Sequence, residues 1–285
     1  MIKLVASDLD GTIIDNNNSI YENNFKAIKD LNNHKMNFVI CTGKTYPVTK
    51  DVCSKIGASY GIFGNGSQII ELKTGKEIYS NLLSKSDALT CIDIAKKHNL
   101  HVHLYTDNSI ISEELLYLDL RNYKLQRSSK NKDSMDFKIV DDIKEYLLSH
   151  NVKVCQLVIS STSSTKDIKA EILSVLDVNT TTIQKFGTYK DSIIDKEYEY
   201  LDVLPKNVNK DTALQFLGNY LNINPDEMLT IGDNLNDFDM IKNAGIGVAV
   251  ANAYDEVKEV ANYTTTTTAQ NGGFAEAVYK FIEFK

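Results

Sequence analysis

Short apolar runs bounded by polar turns recur along this chain, and between them lie stretches whose apolar residues are three and four positions apart. Ile2 to Ser7 is the first such run and ends at an acidic, glycine-containing turn, the pattern of a buried parallel strand with a polar C-terminal end. From about Glu22 to Asn33 the spacing becomes helical, with Phe25, Ile28 and Leu31 on one face, and Met36 to Cys41 is apolar again. These three stretches predict a strand, helix, strand unit. Pro47, Val48, Val52, Cys53 and Ile56 predict a further helix ending at Gly57, and Tyr60 to Phe63 predicts a third strand.

The texture changes from roughly Leu82 to Asp191. Predicted helices at Asp87 to His98 and Thr165 to Leu176 alternate with strands at His101 to Tyr105, Lys153 to Ile159 and Thr181 to Phe186, and Lys130 to Asp136 is the most loop-like stretch. Buried-strand runs return at Glu199 to Leu204, Leu229 to Ile231 and Ile246 to Val250. Helices at about Lys210 to Leu221, Asp237 to Lys242 and Tyr254 to Ala261 separate or follow them. The fold class is α/β: a doubly wound, Rossmann-like parallel sheet built from residues 1–81 and 192–285, with residues 82–191 inserted as an α+β domain. The run Thr264 to Thr268 fits no repeat or element.

Composition narrows the function classes. With 285 residues, 42% of them apolar, the chain has enough material for a buried core, and no apolar run reaches the roughly 18 residues of a membrane helix. Thirty-one Lys and Arg against 38 Asp and Glu leave a formal charge of −7, spread along the chain. That argues against nucleic acid as a partner, because phosphate contacts need clustered basic residues. Cys41, Cys53, Cys91 and Cys155 lie far apart, without metal or disulfide spacing, and read as core thiols. Acidic residues at Asp8 and Asp10 exclude a signal-peptide pattern at the start, so the expectation is a cytoplasmic protein, monomer or homodimer.

Four polar clusters fall at strand ends or helix starts, the edge of a parallel sheet where ligands bind. Asp8-Leu9-Asp10-Gly11-Thr12 brings two carboxylates together, suited to a nucleophile with a general acid/base or to sharing a cation; an Asx turn closing the strand is the structural alternative. Thr42-Gly43-Lys44-Thr45 resembles the end of a P-loop, but the required first glycine is replaced by Phe38. What remains is either a phosphate contact by Thr42 and Gly43 or a simple helix cap. Lys210 opens a helix against the macrodipole, which points to an anionic ligand, with an ordinary exposed lysine as the alternative. Gly232-Asp233-Asn234-Leu235-Asn236-Asp237 fails the calcium-loop pattern because Leu235 takes the third ligand position, and suits magnesium better.

Together, Asp8-x-Asp10-Gly-Thr, Thr42-Gly43, Lys210 and Gly232-Asp233-x-x-Asn236-Asp237 resemble the haloacid dehalogenase superfamily of phosphotransferases over essentially the whole chain. Asn65 to Ile69, Leu201 to Lys210, Asn252-Ala253 and Gly272-Gly273 are similar to its Cof-type branch, in which the insertion is a type IIB cap. The resemblance implies a phosphatase acting on small phosphate monoesters (sugar phosphates, nucleotides or cofactor phosphates) through an aspartyl phosphate. Asp8 is then the nucleophile and Asp10 the general acid/base. Thr42, Gly43, Lys210 and Asn236 bind phosphate, and Mg2+ is held by Asp8, the Asp10 carbonyl and Asp233, with Asp237 orienting the metal shell. The alternatives are a phosphomutase on the same scaffold and a non-catalytic phospholigand-binding protein. Lys44 stands where the family has arginine, which loses the planar fork of a guanidinium.

Overall fold

The computed structural model describes residues 1–14, 19–114, 136–188 and 195–284. Contacts divide the chain into one unit of Met1–Lys44, Thr49–Ser80 and Val208–Lys285 and a second of Thr45–Val48 and Asn81–Asn207.

In the first unit the strands are β1 (Leu4–Ser7), β2 (Asn37–Cys41), β3 (Tyr60–Phe63), β4 (Gln68–Glu71), β5 (Lys76–Ser80), β12 (Met228–Gly232), β13 (Ile246–Ala249) and β14 (Tyr263–Thr264). They form one sheet in the order β14-β13-β12-β1-β2-β3-β4-β5. Pairing is parallel from β14 to β3 and antiparallel for the β3–β4 and β4–β5 pairs. All four residues of β1 and all five of β12 are buried, as their unbroken apolar runs require of central strands. The order reverses between β1 and β12, so the loops leaving their C-terminal ends diverge and open a crevice. Asp8 follows β1, and Asp233 follows β12.

The first helix, α1 (Glu22–Asn33), occupies the predicted span and buries Ile28 and Leu31 as predicted, but not Phe25. Asn24, Ala27, Ile28 and Leu31 are buried, whereas Phe25 is 37% exposed with the Lys29 ammonium 4.6 Å from its ring centroid. Asn24 can replace an apolar residue because its amide is fully used. It donates to the carbonyls of Ile13 and Ala269 and accepts from the N–H of Ala275. The other helices of this unit are α2 (Tyr46–Ile56), which starts within the second unit, α6 (Lys210–Leu221), α7 (Phe238–Asn243), α8 (Asp255–Val260) and α9 (Gly273–Phe281).

The threonine run has a structural role. The Glu276 carboxylate on α9 accepts five hydrogen bonds, from the Tyr263 hydroxyl and from the backbone N–H and hydroxyl of both Thr266 and Thr267. Partial burial works against its ionisation, yet these donors hold the Glu276 carboxyl down at about 2. A depressed carboxyl stabilises the fold above its unfolded value and loses that contribution as pH falls toward 2. Glu276→Gln is expected to cost about 2 kcal/mol at pH 7, since several charge-assisted bonds are lost while one oxygen is kept. Urea denaturation checks this, and the difference from wild type should shrink as the pH falls from about 4.5 toward 2.

The second unit contains β6 (His101–Thr106), β7 (Ser109–Ser112), β8 (Asp136–Ile139), β9 (Val154–Ser161), β10 (Val178–Thr188) and β11 (Asp195–Pro205) in the order β10-β11-β9-β6-β7-β8. Its helices are α3 (Lys85–Lys97), α4 (Ile143–Ser149) and α5 (Lys166–Val175). Val102, Leu104, Leu157, Ile159, Leu201 and Val203 line one sheet face and pack with Ile92, Leu147 and Ile172 of the helices. The run Glu199 to Leu204, read from sequence as part of the first sheet, lies in β11. It pairs antiparallel with β9 and β10, and the first unit resumes only at Val208. A buried run records that a strand is central in a sheet but not in which sheet, and both sheets have buried central strands. Residues 130–135 of the predicted loop lie outside the described residues, and Asp136 begins β8. None of the four cysteines is in a disulfide, and all four are buried.

Candidate active site

The turn after β1 is set by Gly11, at φ +83°, where a side chain would place a Cβ 2.5 Å from Asp233 Oδ2. Glycine is required for both the backbone conformation and the close approach of the two loops. Next to it the Thr12 hydroxyl donates to Asp233 Oδ1 at 3.1 Å, and the Asn252 amide donates to the Gly11 carbonyl at 2.9 Å. Asn252 accepts in turn from the Ala269 N–H, and Tyr254 N–H donates to the Asp233 carbonyl. Both acidic loops are therefore held by residues from remote segments.

Lys210 is the first residue of α6, after an Asn209 cap whose side chain accepts from Thr212 N–H. Its side chain has no exposed surface, and its ammonium donates to Asp8 Oδ1 and to Asp237 Oδ1, each at 2.6 Å. The anions that explain a lysine against the helix dipole are thus, in this structure, the protein's own. The other Asp237 oxygen accepts from the N–H groups of Asp233 and Asn234 at 3.1 Å, so both of its oxygens are engaged in positioning. Asp8, Asp233 and Asp237 each present a carboxylate oxygen within 4.8 Å of the others.

Three carboxylates around one ammonium leave an excess of negative charge in a largely buried place. Burial pushes the Asp8 carboxyl up to about 7, against the pull of Lys210 and with the help of Asp237 and Asp10. Burial, Asp8 and Asp237 likewise hold Asp233 well above the ordinary carboxylate range. Lys210, although buried, is held above its ordinary value by Asp237 and Asp8. The excess charge and the all-oxygen donor set fit a hard divalent cation such as Mg2+. A carboxyl raised on folding stabilises the protein below its unfolded value and loses that contribution as pH rises through its folded value. The metal-free protein is therefore expected to lose stability between about pH 4 and pH 7, by an amount of order 4 kcal/mol from Asp8, with Asp233 adding in the same direction. Thermal melting across that range in EDTA checks the sign.

Asp10 is separate from this cluster. Its carboxylate is 44% exposed and forms an ion pair with Lys44, Nζ to Oδ1 at 2.6 Å. The Asp10 carboxylate is not in the described group of potential metal-binding carboxylates, which consists of Asp8, Asp233 and Asp237. Lys44 makes a single-point contact in place of the arginine fork. Thr42 is buried at the end of β2, and its hydroxyl accepts from Lys44 N–H at 3.2 Å. The following helix starts only at Tyr46, so Thr42 closes a local turn and is not the residue that caps α2. Among the described residues the Gly43 N–H meets no acceptor. Asn236 donates from Nδ2 to Asn65 Oδ1 at 2.8 Å.

The structure thus gathers buried Asp8, Lys210 and Asp237 with half-buried Asp233 into one cluster, sets Asp10 beside Lys44, and joins Asn236 to Asn65. Asn65, Asn252 and Thr12 lay within quoted motifs, but sequence alone assigned them no partner. For Asn65 the available signal was its place between two glycines, a common mark of left-handed backbone.

A family model described as haloacid dehalogenase-like hydrolase matches residues 5–278. The chain is 28% identical over 290 residues to the 5-amino-6-(5-phospho-D-ribitylamino)uracil phosphatase YcsE of Bacillus subtilis, covering 99% of this chain and 96% of that protein. It is similar to a solved structure from Thermotoga maritima, with a TM-score of 0.75, 27% identity and coverage of 99% and 98%. It also has the fold of the subclass IIB sugar phosphatase BT4131, with a TM-score of 0.77, 17% identity and coverage of 98% of each chain.

Proposed function

This chain belongs to the haloacid dehalogenase-like hydrolase family and is a phosphoric monoester hydrolase, and on that premise we propose that it acts with Mg2+ through an aspartyl phosphate on Asp8. The observation that carries the reading is the convergence of Asp8 and Asp237 on the buried Lys210 ammonium, with a carboxylate oxygen of Asp233 within 4.8 Å of theirs. The uracil-derivative phosphatase and the sugar phosphatase among its relatives support small phosphate monoesters as substrates, whether sugar phosphates, nucleotides or cofactor phosphates.

In the first half-reaction Asp8 Oδ attacks phosphorus. The ester P–O bond breaks, its electron pair stays on the leaving oxygen, and Asp10 delivers a proton there. In the second half Asp10 takes a proton from water, whose oxygen attacks phosphorus; inorganic phosphate leaves and the Asp8 carboxylate is restored. A carboxylate and a phosphate, each with unit charge and 4 Å apart, repel by roughly 4 kcal/mol at an effective dielectric of 20, about three decades in rate. Lys210 offsets this repulsion from the Asp8 side, while Thr42, the Gly43 N–H and Asn236 hold the phosphoryl oxygens. Asp8, the Asp10 carbonyl and Asp233 would hold Mg2+, with Asp237 fixing Lys210 and the Asp233 loop. When bound, the ion neutralises charge on the phosphoryl group and on the carboxylates.

The test is phosphate release from a panel of monoesters with Mg2+, then with EDTA, then with Mg2+ restored. Activity is expected to vanish with the chelator and return with the metal while the circular dichroism spectrum stays folded, because few protein groups hold the ion and the core is independently apolar. Undiminished release in EDTA would reject the metal requirement.

A further inference from the structure

The turn after β3 has three successive residues in the left-handed region, with Gly64 at φ 56°, Asn65 at 53° and Gly66 at 109°. For a residue with a side chain this costs of order 1 kcal/mol, and such strain persists only where its surroundings hold it. Here the backbone is tied to the Thr42 loop: Gly64 N–H donates to the Lys44 carbonyl at 3.0 Å and Asn65 N–H to the Thr42 carbonyl at 3.1 Å. On its far side, a Cβ at Gly66 would strike the carbonyl oxygen of Asn209, the residue before Lys210. The Asn65 side chain is buried, and its Oδ1 accepts from Asn236 Nδ2 across 171 residues of sequence. A Cβ at Gly43 would lie 3.0 Å from that same oxygen. One strained turn therefore touches the Thr42–Lys44 loop, the start of α6 and the Asn236 loop.

We propose that Asn65 is a positioning residue for phosphate binding, acting through Asn236; the inference rests on the reading of Thr42, Gly43, Lys210 and Asn236 as the phosphate donors. An amide nitrogen carries two hydrogens in one plane. Directing the first onto Asn65 Oδ1 fixes that plane, and with it the direction of the second. Without Asn65 the Asn236 amide rotates, and part of each phosphate contact is spent on ordering it.

The experiment compares wild type, Asn65→Gly, Asn236→Ala and the double variant, all with Mg2+. Inorganic phosphate affinity is read by calorimetry, and KM and kcat with p-nitrophenyl phosphate. Asn65→Gly keeps the left-handed backbone and removes only the amide. It is expected to weaken phosphate binding and raise KM about tenfold, with kcat within about threefold, the scale of one hydrogen bond to a charged group. In the Asn236→Ala background the same change is expected to add less than about twofold, since the residue it acts through is gone. Unchanged phosphate affinity in Asn65→Gly, or its full effect without Asn236, overturns the proposal. Should Asn65→Gly not melt cooperatively, Gly43→Ala tests the contact from the other side by crowding Oδ1. Because the Gly43 N–H is itself a phosphate donor, the comparison is made with and without Asn236: weakening that largely disappears in the Asn236→Ala background supports the proposal, and equal weakening in both backgrounds, or unaltered affinity, overturns it. A wild type that binds phosphate but hydrolyses no ester would defeat the proposed reaction and leave the calorimetric comparison readable. Hydrolysis with an unaffected Asn65→Gly would defeat only the positioning role.

Discussion

Asp8→Asn is expected to bring turnover below about a hundredth of wild type while leaving the protein folded and, without metal, no less stable at pH 7. The rate falls because an amide is not a nucleophile for phosphorus and covalent catalysis is lost, an effect larger than the roughly 10²-fold of a single auxiliary group. The fold survives because the exchange conserves volume and the asparagine oxygen can still accept from Lys210, which also keeps its bond to Asp237. Stability is preserved for an electrostatic reason. The Asp8 carboxyl is raised to about 7 by burial, so its ionised form is unfavourable in the folded protein near neutrality. Removing it should also flatten the fall in stability between about pH 4 and pH 7. Steady-state kinetics and melting curves at several pH values check both arms. Retention of more than about a hundredth of the rate would reject Asp8 as nucleophile.

Lys210→Met is expected to damage both rate and stability. It keeps an unbranched side chain of similar length but leaves three carboxylates within 4.8 Å of one another with no cation among them. At that separation and an effective dielectric of 20, each ionised pair repels by between 3 and 4 kcal/mol, or about 3.5. Breaking a buried ion pair from one side costs about 3 to 5 kcal/mol in general, and that is the expected loss at pH 7 in EDTA. The loss should shrink as pH falls and the carboxylates protonate, and Mg2+ should restore part of it by supplying the missing charge. Turnover should fall at least about 10²-fold, since the charge that offsets the repulsion between Asp8 and phosphate is gone. Melting temperature against pH, with and without Mg2+, is the measurement. A melting temperature unchanged at pH 7 would mean that Lys210 is not what balances the cluster.

Much of the site was legible because it lies where local patterns end. Strand runs stop at Ser7, Cys41 and Gly232, and polar residues at those stops face the crevice of a parallel sheet whatever the details of packing. Helix α6 begins at Lys210 as the periodicity predicts, because a capping asparagine and a helical run are both local signals. The face of α1 was less legible. Phe25 is the larger apolar residue, but the buried position belongs to Asn24, whose amide meets Ile13, Ala269 and Ala275, two of them about 250 residues away. The threonine run was illegible for the same reason, since its partner Glu276 lies on a later helix.

By itself the sequence determined the order of the elements it picked out, leaving β4, β5, β7, β8, β14, α4 and α9 unread, together with the α/β class with its insertion and which residue types stand at the strand ends, because periodicity and turn chemistry act over a few neighbouring residues. Only the tertiary structure decided the partners. Lys210 belongs to Asp8 and Asp237, Asp10 to Lys44 and Asn236 to Asn65, while β11 joins the second sheet. Hydropathy and charge are properties of a residue and its neighbours in the chain, but burial, a salt bridge or a strand pairing depends on segments that the chain brings together only when the whole sheet has formed.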